Sequence, residues 1–412
     1  MTRFVEAVLP ARLGSGFRWL MASSWTSNLG DGIAVAAGPL LLASLTGDPF
    51  LISLGALLQW APPLVFGLSA GVVSDRLDRR RTVMVADGVR VVVLAGLVAA
   101  IVTGRVTVPV ALIALGLIAT AEVFADNTAS TLTPMLVHRD DLSLANSRLQ
   151  TGLITLNRLA GPAIGAAMFA AGRTWPFAAQ AVLLAAGVLL VSRVTLPRHG
   201  RDAAGTAGHS VLRDVVEGIR WTVRHAAVRT LALTILVFNF TFGAAWSVLV
   251  VYADRQLGLG PVGFGLLTTV SAAGGLLGTG VYGWLTRRVS LGNLMRAGLI
   301  FETLTHLTLA LTTSAWVAFP VFFVFGTHEY VWGTTSMTIR QRAVPTHLQG
   351  RVASVSTICV FGGLVIGSAI GGLLAARFGI TSVFWYAFVG SALFVVLLWR
   401  ELTRIAHSED AS

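Results

Sequence analysis

The stretch GVVSDRLDRRR, Gly71–Arg81, sets four arginines and two aspartates between two long apolar runs. Everything around it is greasy. Of 412 residues, 55% are hydrophobic and only 12% are charged, and the mean hydropathy is +0.76. Soluble chains carry about 25% charged residues. This chain has too little polar surface for a water-soluble globule, so the charged stretch reads as a turn between membrane spans.

Working outward, apolar runs long enough to cross a bilayer need about 20 residues. Twelve are predicted: 17–45, 50–73, 82–103, 107–130, 148–172, 176–196, 228–252, 262–285, 292–313, 315–338, 353–376 and 380–400. One long polar linker, 197–227, interrupts them. The expected organisation is an all-α membrane protein with an N-terminal six-helix bundle (1–196), a central loop (197–227) and a C-terminal six-helix bundle (228–412). The first run holds Asn28 and Asp31 and is too long for a signal peptide, whose apolar core is about 7–15 residues.

All 30 basic residues are arginine, and the formal net charge is +11. In a membrane chain this is explained by arginine in cytoplasmic loops rather than by nucleic acid. Twenty-four arginines fall on one side of the predicted spans and four on the other. The positive-inside rule then places both termini and the central loop in the cytoplasm, in a multi-pass protein of a bacterial cytoplasmic membrane. The one cysteine, Cys359, excludes a disulfide framework. No phosphate-binding lysine loop, GxSxG elbow or HExxH motif is present, so no enzyme, metal or cofactor is expected.

The two halves repeat. EVFADNTASTLTPMLVHRDDLSLANS, from Glu122, aligns with EYVWGTTSMTIRQRAVPTHLQGRVAS, from Glu329, at an offset of 207 residues. Glu122 meets Glu329, Thr128 meets Thr335, Thr131 meets Thr338 and Ser147 meets Ser354. Parallel repeats of six spans are a transporter architecture.

In the opening motif, Gly71 is expected to let neighbouring helices approach, and Asp75 to sit near the N-terminus of the third span, where the helix dipole favours negative charge. Gly71, Asp75, Arg76, Arg79, Arg80 and Arg81 resemble the loop signature of the major facilitator superfamily, with Asp78 in place of the usual glycine. The resemblance implies a cytoplasmic gate. GLITLNRLAGPAIGA, Gly152–Ala166, resembles the antiporter motif of drug–proton exchangers through Gly152, Gly161, Pro162 and Gly165. Gly161 and Gly165 also form a small-xxx-small packing face. The loops after spans 4 and 10 resemble those of the twelve-span drug–proton antiporter branch, which includes tetracycline/aminoglycoside-type, macrolide and enterobactin exporters. That resemblance implies proton-driven export of a small molecule, with the proton gradient as energy source.

Ionisable residues inside spans cost about 2.5–3.5 kcal/mol each on insertion scales and are functional candidates by default. Asp31, Glu122, Asp126 and Glu329 are the candidate proton-coupling or substrate-binding acids. Arg158 is the expected intramembrane partner for one of them. Asp87 and Arg90, and Glu302 and His306, read as structural pairs, and His328 adjoins Glu329. Trp25, Asn28, Phe124, Phe238, Asn239, Phe240, Phe242, Trp246 and Tyr330 are the candidate cavity walls. Aromatic walls beside acids suit amphipathic cations. The predicted partners are a small-molecule substrate, protons and membrane lipid, and a monomer is expected. An exporter dedicated to a siderophore or a host-made natural product, and a lysophospholipid flippase, remain as alternatives.

Overall fold

The computed structural model describes residues 11–196 and 211–407. Among them there are helices and turns and no strand. The helices are α1 (Gly14–Leu45), α2 (Pro49–Arg76), α3 (Arg79–Val102), α4 (Val108–Leu136), α5 (Leu142–Gly152), a π-helical stretch (Leu153–Ala160), α6 (Gly161–Ala171) and α7 (Trp175–Val191). They continue as α8 (Val211–Arg224), α9 (Ala226–Ser247), α10 (Leu249–Arg255), α11 (Pro261–Leu285), α12 (Leu291–Leu311), α13 (Ala315–Ala343), α14 (Gln349–Phe378) and α15 (Thr381–His407). Among the described residues, ten helical segments are long and apolar enough to cross a membrane. The 17-residue α7 is apolar but shorter. The 29-residue α13 is not among the ten; it carries His328, Glu329, Arg340 and Arg342.

Local chemistry sets the boundaries. Asp78 caps α3, its carboxylate accepting the Arg81 N–H at 2.9 Å. Proline opens α4, α6, α7 and α11 within their first two positions, where its missing N–H costs no helical bond. Gly379, at φ +86°, ends α14 in a conformation that favours glycine.

Two compact units form. One comprises the described residues 11–45 and 65–196; the other comprises 46–64 and 211–407. The first half of α2 therefore packs with the second unit, where Trp60 meets Phe361 at 6.3 Å. In the first unit α1 packs on α6 and α7, while α3 packs on α4 and α7. In the second, α9 packs on α14 and α15, while α12 packs on α13 and α15. These are equivalent pairings in each half.

The repeat holds to the residue in its second part. Adding 207 to the bounds of α4 gives those of α13. The same shift maps the single-turn helix Arg139–Asp141 onto Thr346–Leu348, and Leu142–Ala171 onto Gln349–Phe378.

Two expectations are revised. The run 228–252 is not one helix: α9 ends at Ser247, and Val248 (φ −112°, ψ 7°) separates it from α10. The central loop is not simply polar linker. Residues 197–210 lie outside the described residues, but 211–224 form the amphipathic helix α8. Trp221 packs against Val228, Val344, Leu348 and Val352. Arg351 bonds Asp214 at 2.9 Å and Glu217 at 2.6 Å.

Candidate functional site

In the first unit, four helices converge on one guanidinium. Arg90, on α3, has a side chain only 1% exposed. It bonds Asp31 of α1, Asp87 one turn back at 3.1 Å and Glu122 of α4 at 3.3 Å. Gln180 of α7 donates to the same Asp31 oxygen at 3.3 Å.

The local sequence explains the convergence. Asp31 lies between Gly30 and Gly32. A methyl group at Gly32 would sit 2.5 Å from the Asn157 carbonyl oxygen, and one at Gly30 would touch Gln180 at 3.4 Å. The glycines bring the π stretch and α7 close to α1, so Gln180 reaches the carboxylate. Gly161 and Gly165 continue the seam: added methyl groups would lie 2.4 Å from Gly32 Cα and 2.2 Å from the Ile33 oxygen. Gly152 is filled by the Trp25 ring, 2.3 Å from such a methyl group.

The acids differ in access. The side chains of Asp31 and Asp87 are 12% and 6% exposed, while that of Glu122 is 38% exposed. Asp126, one turn further along α4, is exposed. Three carboxylates face one permanent cation, so the group carries an excess of negative charge when all are ionised.

Sequence reasoning expected Arg158 as the cation. The structure gives that role to Arg90. Arg158 is exposed on the π stretch, whose wider turn changes the angular phase of its side chains. The signals were present: Arg90 is three residues from Asp87, and Gln180 is the one amide side chain in the apolar run of α7.

The opening motif is also rearranged. Asp75 falls in the last turn of α2, not at the start of the third span, and its side chain lies outside the described residues. Asp78 is the cap. A methyl group at Gly71 would have nothing within 4 Å among the described residues. Arg79 bonds the Ser74 carbonyl at 3.4 Å and Met135 Sδ at 2.8 Å. Arg80 reaches the Ser192 and Val194 carbonyls, at 3.3 and 3.0 Å, just past the end of α7. Arg76 and Arg81 are exposed.

The aromatic residues sort into packing roles. Trp25 donates to the Arg148 carbonyl at 3.0 Å. Asn28 and Asn239 bond back to Ser24 and Ile235, each at 2.8 Å. Phe124 meets Phe66, and Phe240 meets Tyr386 edge-on. Phe242 stacks on Trp246 at 4.8 Å and on Phe325 at 5.7 Å. Phe238 stacks on Trp332 at 4.6 Å. Tyr330 covers Gly275 of α11. Glu329 is half-buried on α13. Phe322 and Phe325 extend the Phe242–Trp246 cluster, and the sequence reading did not single them out.

Residues 9–412 match the family of transmembrane secretion effectors. The chain belongs to that family, within the major facilitator superfamily. It is 28% identical to the multidrug efflux pump Tap of Mycolicibacterium fortuitum over 378 residues, covering 89% of this chain and 90% of the pump. It is 22% identical to macrolide efflux protein A of Streptococcus pyogenes, covering 87% and 88%. Two solved structures share the fold at low identity. One is a bacterial homologue of the iron transporter ferroportin (TM-score 0.73, 17% identity, 95% of this chain and 98% of that one). The other is the nucleoside transporter NupG (TM-score 0.72, 14% identity, 95% and 99%). The transmembrane secretion effector is thus a multi-span membrane transporter of small molecules, of the kind represented by efflux pumps.

Proposed function

We propose that this chain exports hydrophobic or amphipathic drugs from the cytoplasm by alternating access, driven by inward proton flow. The observation that carries the reading is the Arg90 group. A buried guanidinium joins two buried acids to Glu122, an acid open to solvent. A proton or a cationic drug arriving at Glu122 or Asp126 changes the charge that Arg90 must balance, and so changes which acid it holds. The relatives named as multidrug and macrolide efflux pumps support drugs as the cargo. The electrical gradient contributes about 2.3 kcal/mol per charge per 100 mV. Arg79 and Arg80 tie helix ends together inside the first unit, which suits a gate held on the cytoplasmic side.

The test is a proteoliposome with a pH-sensitive dye in its lumen, an imposed proton gradient and a panel of lipophilic cations and macrolides. Drug-triggered proton movement, abolished by Glu122→Gln or Asp31→Asn, is expected. Transport that proceeds at the same rate with the gradient collapsed would overturn proton coupling. Transport confined to one compound class would replace the multidrug reading with a dedicated exporter.

A further inference from the structure

The second unit contains a buried polar group outside the Arg90 site. Glu302 and His306 lie one turn apart on α12, with His306 Nε2 2.9 Å from Glu302 Oε1. From α13, His328 Nε2 stands 3.6 Å from Glu302 Oε2. All three residues are buried. Phe238, Phe301 and Phe325 enclose the His328 ring, at 6.4, 6.2 and 5.2 Å between centroids.

A settled structural cluster has its buried polar atoms bonded. This one does not. Among the described residues, Glu302 Oε2, His306 Nδ1 and both ring nitrogens of His328 have no hydrogen-bond partner. Of the two imidazoles, only the His306 ring is within hydrogen-bond distance of the carboxylate. A proton added to His328 turns both its nitrogens into donors, one of them already facing the unsatisfied Oε2. A movement of well under 1 Å would complete a charge-assisted bond. Among the described residues, no three such side chains are arranged to hold a metal ion.

Among the described residues, no competing charge lies within bonding distance of His328. Glu302 and His306 are the charged groups whose fields reach His328. On α12, Arg296 instead bonds the Trp399 carbonyl at 3.1 Å. On α13, Arg340 and Arg342 lie three turns beyond His328, and Glu329 follows it in the chain. On α11, Tyr282 accepts from Thr335 at 3.5 Å. On α9, Arg229 bonds the Val223 carbonyl at 3.2 Å and Phe238 is the residue that faces the ring. On α15, Tyr386 packs on Phe240, and Arg400 and Glu401 follow Trp399.

The position matters too. In the first unit, the contact between α3 and α4 holds Arg90 and Glu122; its counterpart in the repeat is the contact between α12 and α13, which holds Glu302 and His328. We infer that Glu302, His306 and His328 form a second proton-binding site, one proton being shared between the carboxylate and the two imidazoles. Its part in transport rests on the antiport reading; its occupancy by a proton does not.

The test uses the full chain in nanodiscs with 15N-labelled histidine and no drug. The His306 and His328 signals are assigned by their loss in His306→Asn and His328→Asn. A single shared transition of both rings as the pH is lowered is expected, together with its loss in Glu302→Gln. Rings that keep fixed tautomers, or that titrate separately and unaffected by Glu302→Gln, would overturn the proposal and leave a structural cluster. If Glu302→Gln does not fold, the titration of the native chain and of His328→Asn decides: His306 must lose the shared transition when His328 is replaced. Because no drug is present, failure of antiport in proteoliposomes would not produce either result.

Discussion

Removing the Arg90 charge while keeping its bulk, as in Arg90→Met, tests the account of the first site most directly. Two of its carboxylate partners are almost as buried as Arg90 itself: Asp31 at 12% and Asp87 at 6% exposure. Deleting one member of a buried ion pair costs about 3–5 kcal/mol, because the partner charge is left uncompensated. Glu122, at 38% exposure, adds little, since water screens it. Unfolding in mixed micelles should therefore show a loss of about 3–5 kcal/mol for Arg90→Met. Replacing Asp31 and Asp87 by asparagine in the same background should restore most of it, giving a coupling energy far above the 0.3–0.5 kcal/mol expected of independent sites. Arg90→Lys should fall between, because a lysine ammonium cannot match the guanidinium fork toward three acids. A Met variant within about 0.5 kcal/mol of the native chain, with additive asparagine effects, would refute a site organised by Arg90.

The glycine seam and the motif loop give two sharper contrasts. Gly165→Ala pushes a methyl group to 2.2 Å from the Ile33 oxygen and should cost about 1–3 kcal/mol by overpacking; Gly71→Ala meets open space and should leave the same unfolding curve unmoved. Asp78→Ala removes the α3 cap and should cost about 1 kcal/mol, whereas Asp78→Asn, which caps as well, should cost almost nothing.

The architecture was legible because bilayer length and arginine placement are coarse signals that survive any side-chain detail. The repeat was legible at Glu122 and Glu329, although few identities carried it; helix bounds that coincide at the 207 offset show it more strongly than the residues do. The acids at 31 and 122 were legible, since an ionisable group in a span is expensive wherever it points. Their cation was not. Choosing between Arg90 and Arg158 needs the rotation of each helix, and the π stretch Leu153–Ala160 breaks the 3.6-residue phase that sequence reasoning assumes. Asp75 and Asp78 were confused for a similar reason: either could cap a helix, and only the end of α2 at Arg76 decides between them. The nearness of His328 to Glu302 was hidden because the two lie 26 positions apart in the chain.

The two halves use the same helix contact for different electrostatics. In the first, a permanent cation meets an excess of acid, so at least one member stays charged whatever the pH. Arg90 cannot give up its proton, and the acids alone can respond. In the second, no permanent cation touches Glu302 at bonding distance among the described residues. Only imidazoles do, and an imidazole, unlike a guanidinium, can bind and release a proton. That half can pass from net negative to neutral with a single proton, without moving an arginine through an apolar interior. A chain whose halves were selected only for symmetric packing would have no reason to keep ionisable groups at both contacts, each carrying an insertion cost of a few kcal/mol. Ionisable groups at both contacts, with a fixed cation in one half and imidazoles in the other, are the arrangement expected if protonation, rather than packing, is what the α3–α4 and α12–α13 contacts sense.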